Sequence, residues 1–387
     1  MLAVLAGGCT GELFVGDAGA TGGDAGAPPP TVDAGVRPLD AAPGTDAGPP
    51  APVTDAGPPT GSDAGPPTGA CVGVTCGAGE RCEPRSGACV CADGFMDVGG
   101  RCAPVAPGDP STRTADEVCT AWRDGHVIDA PMAYTPDGMC GLGTVTPGVH
   151  EDVVRRASLF RWLAGLGPVT ENVADRTAMQ ECAVMMSAAG ALDHMPEPDW
   201  PCYTADGARA ARFSNLSLRF GGHPAEAIDQ LMRDCSRPPC STGIGHRKWQ
   251  LYYGLGSIGI GAAQVEGASF LGTCIGIANG GGTSFRPWVA YPNPGPAPLE
   301  TTDRLWSFHP GESGFSVSGG EASVVRVSDG ASMPVTSTAT GSFGLPPGAV
   351  VWSLDGWTAE AGETYRVTIA GLRDGDVTYD VEVVDCR

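Results

Sequence analysis

Positive charge is scarce in this chain. Its 387 residues include 23 lysines and arginines against 44 aspartates and glutamates, a formal net charge of −21. A nucleic-acid partner needs a basic face to neutralise phosphates, so that class of function is set aside, and electrostatic adsorption to an anionic membrane with it. The acidity suits solubility outside a cell. Long apolar runs are missing too. No stretch approaches the ~18 residues of a membrane-spanning helix, so membrane attachment would have to run through lipid. No zinc-ribbon repeat organises the cysteines.

Cysteine, in contrast, is abundant. Fifteen cysteines read as a disulfide framework built in an oxidising compartment. Cys9 stands apart from the rest, after an apolar run that ends Ala6-Gly7-Gly8. Setting it aside leaves an even set of fourteen, enough for seven bridges. A cysteine behind small residues at the end of a hydrophobic stretch resembles a bacterial lipoprotein signal, which implies lipid attachment at Cys9. Ala6 stands where leucine is usual, and residues 1–8 are shorter than a full signal peptide and carry no basic n-region. Residues 1–16 are therefore read as a signal remnant and anchor, and the chain as secreted, an outer-membrane or cell-surface lipoprotein.

Residues 17–70 repeat Asp-Ala-Gly at Asp17, Asp24, Asp33, Asp46, Asp55 and Asp63, with proline runs after the last three. Such a segment has too little to bury to offset the entropy of ordering. Self-repelling aspartates and polyproline-type stretches predict an extended tether reaching on the order of 170 Å.

Residues 71–102 hold six cysteines spaced Cys71-x4-Cys76-x5-Cys82-x6-Cys89-x-Cys91-x10-Cys102. So short a segment has no room for a core, and bridges must hold it. Six cysteines alone allow fifteen pairings. The spacing, with Asp93-Gly94-Phe95 after Cys-x-Cys, resembles the EGF-like module. That resemblance implies the bridges Cys71–Cys82, Cys76–Cys89 and Cys91–Cys102. The calcium-binding form of the module has an acidic pair before the first cysteine; here the position reads Pro67-Thr68-Gly69-Ala70, so no calcium is expected.

From Glu151 the pattern becomes helical. Val153, Val154, Ala157, Phe160 and Leu163 recur at helix spacing with Arg155, Arg156 and Arg161 between them, until Gly165, Gly167 and Pro168 end the run. A second helix is predicted from about Asn172 to Ala189, with an apolar stripe of Met179, Cys182, Ala183, Met186 and Ala189 that reads as core. His194 lies just beyond it. A third helix, Ala225 to about Asp234, presents Ile228, Leu231 and Met232. Cys235 and Cys240 follow, close enough to bridge each other. Then come Gly245-His246-Arg247 and a strand-like Ser257-Ile-Gly-Ile-Gly261.

The order of these pieces over about residues 148–280 resembles the CAP superfamily, which unites cysteine-rich secretory proteins, antigen 5 and the plant pathogenesis-related proteins. Leu192-x-His194-x-Pro196, Cys202-Tyr203-Thr204 and Ser214-Asn215-Leu216 in series are similar to its bacterial secreted branch. The resemblance implies an α-β-α three-layer sandwich with a cleft lined by two histidines and two acidic residues. Carried onto this chain, the histidines are His194 and His246. The Gly-Glu-Asn motif falls on Phe213-Ser214-Asn215, so Ser214 replaces the glutamate and Asn215 is kept. The remaining acid falls on Asp234, with Asp229 as the other candidate.

Two imidazoles facing one cleft suit Zn²⁺ or Cu²⁺, so His194 and His246 are the expected metal ligands, with zinc the expected ion. A purely structural pair bonded to Ser214, Asn215 and backbone is the competing reading. Nothing like a nucleophile elbow surrounds Ser214, and no residue is assigned a catalytic role. His126, His150, His223 and His309 are read as loop residues with no function, and the sequon at Asn215-Leu-Ser217 is discounted.

Past the Pro292–Pro298 join, Leu305–Phe308, Ala322–Val327, Val350–Leu354, Tyr365–Ile369 and Val377–Val384 alternate at strand period, which predicts a small antiparallel β-sandwich. The expected fold is thus α+β: the EGF-like module at 71–102, a CAP domain at 110–290 and the β-sandwich at 300–387. The expected function is extracellular binding of a small apolar or lipid ligand, non-enzymatic rather than enzymatic. The alternatives are a metal-dependent extracellular hydrolase and an adhesin that binds a cell-surface component and uses the CAP domain as scaffold.

Overall fold

The structure is a computed structural model that describes residues 71–387, apart from 72, 78–79, 84, 93–94, 99, 105, 133, 235–243 and 341–347. Cys9, the tether and the Cys235–Cys240 pair lie outside the described residues. What is described is a mixed helix-and-sheet protein with six α-helices, several small sheets and six disulfides.

The cysteine-rich segment consists of two short hairpins, β1 (Glu80–Cys82) with β2 (Cys89–Cys91), and β3 (Phe95–Asp97) with β4 (Cys102–Pro104). Its bridges are Cys71–Cys82, Cys76–Cys89 and Cys91–Cys102. Val98 is its one buried hydrophobic side chain among the described residues, and it packs into the core of the main body.

α1 (Ala115–His126) starts at a capping box, in which Thr114 and Glu117 satisfy each other's backbone N–H. After the small hairpin β5 (Tyr134–Thr135) and β6 (Thr144–Val145), α2 (Pro147–Leu163) begins with proline in its first turn, where no N–H is missed. The central sheet then assembles in the order β7 (Thr170–Glu171), β9 (Ser257–Ala263), β10 (Leu271–Asn279), β8 (Ser214–Arg219). Between these strands the chain forms α3 (Arg176–Ala189), α4 (Ala205–Arg212), α5 (Ala225–Arg233) and α6 (Gly245–Gln250).

The Ile-Gly alternation of β9 explains why helices cover both sheet faces. Ile258 and Ile260 point to one side, into a core with Val153, Phe160 and Ile228 from α2 and α5. Gly259 and Gly261 point to the other, toward α3. A Cβ at Gly261 would lie 1.9 Å from the Met179 carbonyl oxygen, so only glycine lets α3 lie so close. Met179, Cys182, Ala183 and Met186 are buried against this face, and Cys182–Cys274 ties α3 to β10.

α2 is enclosed nearly all round. Arg155, Arg156 and Arg161, which interrupt its apolar pattern, are buried as well. Fully enclosed, Arg161 donates to the carbonyls of Gly167, Gln250, Tyr252 and Leu255, which is how a buried guanidinium keeps its hydrogen bonds.

The C-terminal part has two sheets around a shared aromatic core that includes Trp306, Phe308, Trp352 and Tyr365. One runs β11 (Trp288–Tyr291), β13 (Leu305–Pro310), β17 (Ala349–Leu354), β16 (Val335–Thr340). The other runs β12 (Gly295–Pro298), β19 (Val377–Val384), β18 (Thr364–Ala370), β14 (Glu321–Arg326), β15 (Ser332–Met333). Two expectations are corrected here. The Pro292–Pro298 join is not a plain connector, because Gly295–Pro298 is the edge strand β12, where proline costs no ladder bond. Its pairing with β19 is parallel, so the sheets are not purely antiparallel. The histidines expected in loops also differ. His126 ends α1, His150 lies in α2 and His309 in β13, leaving only His223 in a loop.

Candidate functional site: the histidine cleft

α3 stops at Gly190, which takes the left-handed conformation (φ 61°) and returns its N–H to Met186 and Ser187. The loop that follows carries His194 and is closed by Cys140–Cys202. His194 Nδ1 lies 2.9 Å from the Ala211 carbonyl oxygen. Only a protonated nitrogen can bond a carbonyl, so in the neutral ring the lone pair belongs to Nε2.

His246 is the second residue of α6. Its Nδ1 lies 2.7 Å from Asp234 Oδ1, and the same carboxylate accepts the Arg247 backbone N–H through Oδ2 at 3.0 Å. Asp234 caps α5 in a left-handed conformation (φ 52°) that a short polar side chain tolerates. Asn215 Nδ2 donates to the His246 carbonyl at 3.0 Å. Asp234 therefore orients the ring and Asn215 the backbone. The carboxylate–imidazole arrangement also places the neutral ring's lone pair on Nε2, as in histidines that ligate metals.

Both histidines are thus fastened to one short stretch, Ala211 to Asn215, where α4 turns into β8. Both are partly exposed. Two large apolar side chains are exposed close by in sequence: Met195, which follows His194, is 69% exposed, and Phe213, two residues past Ala211, is 50% exposed.

The two acidic candidates lie in different surroundings. Asp234 is at His246, while Asp229 pairs with Arg156 and lies 3.3 Å from His126 Nε2. Ser214 is buried at the end of α4. Its Oγ donates to Ala210 O at 2.8 Å and touches Met179 Sδ at 3.3 Å, so the hydroxyl closes the end of α4. Of the expected cleft residues, Asp234 bonds the His246 ring and Asn215 its carbonyl, His194 bonds the Ala211 carbonyl, and Ser214 bonds Ala210. Asn215 is buried in β8, which leaves its sequon no room for a glycan.

Among the described residues, one group of three potential metal ligands comes together: Cys76, Glu80 and Cys89. Its two sulfurs are bonded to each other and offer no thiolate.

Sequence reasoning missed Arg247. Buried beside His246, it donates to the carbonyls of Met232 (2.6 Å), Arg233 (2.8 Å) and Leu305 (2.9 Å), reaches Ser307 Oγ, and lies over the Tyr291 ring at 4.4 Å. It joins α5 to β13. Burial pushes the Tyr291 phenol up to about 12, against the pull of the Arg247 cation. The available signal was its place in Gly-His-Arg, which does not separate a structural arginine from a functional one.

A cavity of about 590 Å³ lies apart from the histidines, where α1, α2 and α5 meet the C-terminal sheets. None of the cleft residues lines it. Compared with known proteins, the chain matches no family model, no curated protein and no solved structure.

Proposed function

We propose that this is an exported CAP-type binding protein, anchored at Cys9 and held off the membrane by its tether and an EGF-like spacer, whose histidine cleft takes an apolar or lipid ligand beside a divalent metal. The six disulfides among its described residues call for an oxidising compartment. The helix-covered sheet, with His194 after α3 and His246 at the start of α6, supports the CAP reading.

The observation that carries the site is the matched anchoring of the two rings, Nδ1 of one on Ala211 O and Nδ1 of the other on Asp234. His194 and His246 would hold the metal, and the bound ion would supply a Lewis acid for a ligand's oxygen. Asp234 keeps the His246 ring in place, and Met195 with Phe213 offers apolar surface nearby. The binding reading outranks the hydrolase one on the donor set. Catalytic zinc uses three protein ligands, whereas this reading supplies two histidines, with the Asp234 carboxylate already bonded to the His246 ring.

Native mass spectrometry of chain secreted through an oxidising compartment tests this. A co-purified apolar molecule should ride on the wild type and be lost from a Met195→Lys, Phe213→Lys double variant. Ligand-free wild type, or ligand retained by that variant, would remove the cleft from the account.

A further inference from the structure

We infer that the cavity between the helical part and the C-terminal sheets binds a small zwitterion with a large apolar body, of the chemical class of a free hydrophobic amino acid. The argument is independent of the histidine cleft.

The apolar half of the site is an aromatic wall. Trp122 meets Phe160 edge-on at 5.7 Å between centroids, and Phe160 lies 6.5 Å from Tyr291. All three line the cavity, and its 590 Å³ is the size of a small-molecule site. Asp229 and His126 also line it, but Asp229 is already engaged by Arg156, so it belongs to the wall's own network.

The charged half is unusual. Arg233, at the end of α5, and Arg304, just before β13, line the cavity together with Glu300 and Asp303. Among the described residues, none of these four side chains makes an ion pair, although the chain carries acids at nearly twice the number of bases. Two guanidinium groups and two carboxylates thus share one cavity without closing on one another. Their backbones are fixed: the Arg233 carbonyl takes a bond from Arg247, Leu354 N–H donates to the Arg304 carbonyl, and Asp303 Oδ1 accepts the Arg304 N–H. Opposite charges held apart over an aromatic wall complement a molecule that carries a carboxylate and an ammonium on one apolar body. A bidentate carboxylate suits the guanidinium fork, and an ammonium suits the carboxylates and ring faces.

The walls come from both parts of the protein, and those parts are held together by Cys119–Cys386 and by Arg247. The cavity is therefore a fixed junction.

Titration calorimetry on the intact disulfide-bonded protein tests the inference with L-phenylalanine, 2-phenylethylamine, 3-phenylpropanoate and glycine. L-phenylalanine should bind, and each of the other three, lacking one charge or the apolar body, should bind at least about tenfold more weakly. Arg233→Gln with Arg304→Gln should reduce L-phenylalanine to the amine's affinity and leave the amine unchanged. Glu300→Gln with Asp303→Asn should do the mirror image with 3-phenylpropanoate. All four side chains are exposed, so an unchanged melting temperature confirms that the variants fold. No binding of L-phenylalanine, or binding matched by 3-phenylpropanoate or glycine, would overturn the assignment.

Discussion

The segment Cys71–Pro104 and the body that follows are stabilised by different means. In the segment, bridged cysteines stand 11, 13 and 11 residues apart, and one described hydrophobic side chain, Val98, is buried. In the body, bridged cysteines stand 267, 62 and 92 residues apart, and a continuous core runs from α2 across the sheet to β11. Short loops closed by bridges replace a core where there is no room for one. Where apolar area is plentiful, bridges reinforce a fold that packing already specifies. The junctions follow the same division. The segment docks through Val98, with Met96 and Ala103 packed beside it and Arg101 facing Asp124 and Asp129, whereas the helical part and the C-terminal sheets are locked by a buried arginine and a disulfide.

Changes that remove the bridges should separate the two regions most sharply. Serine at Cys71, Cys76, Cys82, Cys89, Cys91 and Cys102 should unfold the segment outright and leave the melting of the body nearly unchanged. Limited proteolysis would show it, and a segment that resists protease without bridges would erase the contrast. Next comes the body's own junction. Arg247→Met leaves several buried acceptors without a donor and should cost on the order of 3–5 kcal/mol in denaturant unfolding.

An acid-sensitive residue sits beside that junction. Burial holds the His309 imidazole down to about 3, and the Arg247 and Lys248 cations add to the effect. The unfolded chain binds this proton at an ordinary value near 6.5, so the stability it contributes is full above pH 6.5 and is lost as pH falls toward 3. The loss at pH 4 should be about 3 kcal/mol. His309→Gln should flatten this part of the pH–stability curve, and an unchanged slope would contradict it. The smallest effect is expected at the segment's buried anchor, Val98. Val98→Ala should cost about 1–2 kcal/mol of docking, read as faster cleavage between residues 104 and 110 with the body's melting point unmoved.

The features legible in sequence are those with a period or a spacing. α2, α3 and α5, the Ile-Gly strand and five of the C-terminal strands follow from apolar patterns, with α2 starting earlier than its stripe because Pro147 and Gly148 are not apolar markers. β12 was missed because proline reads as a breaker, yet an edge strand with a parallel partner accepts it. The buried arginines of α2 were opaque because a charge between apolar positions looks like a solvent face until enclosing elements are known. His194 and His246 were picked by motif order. Asp234 was separable from Asp229 only once the left-handed cap of α5 was visible. The direction of the Ser214 hydroxyl depends on the end of α4, which no local pattern reports.

The central claim is that His194 and His246 act as one site, and copper makes it countable. Cu²⁺ prefers imidazole nitrogen, and its electron paramagnetic resonance spectrum resolves the number of nitrogens bound. The account predicts two nitrogens in the wild type, one in His194→Ala, one in His246→Ala and none in the double variant. A two-nitrogen spectrum that survives in the double variant, or a wild type with one nitrogen, would contradict it.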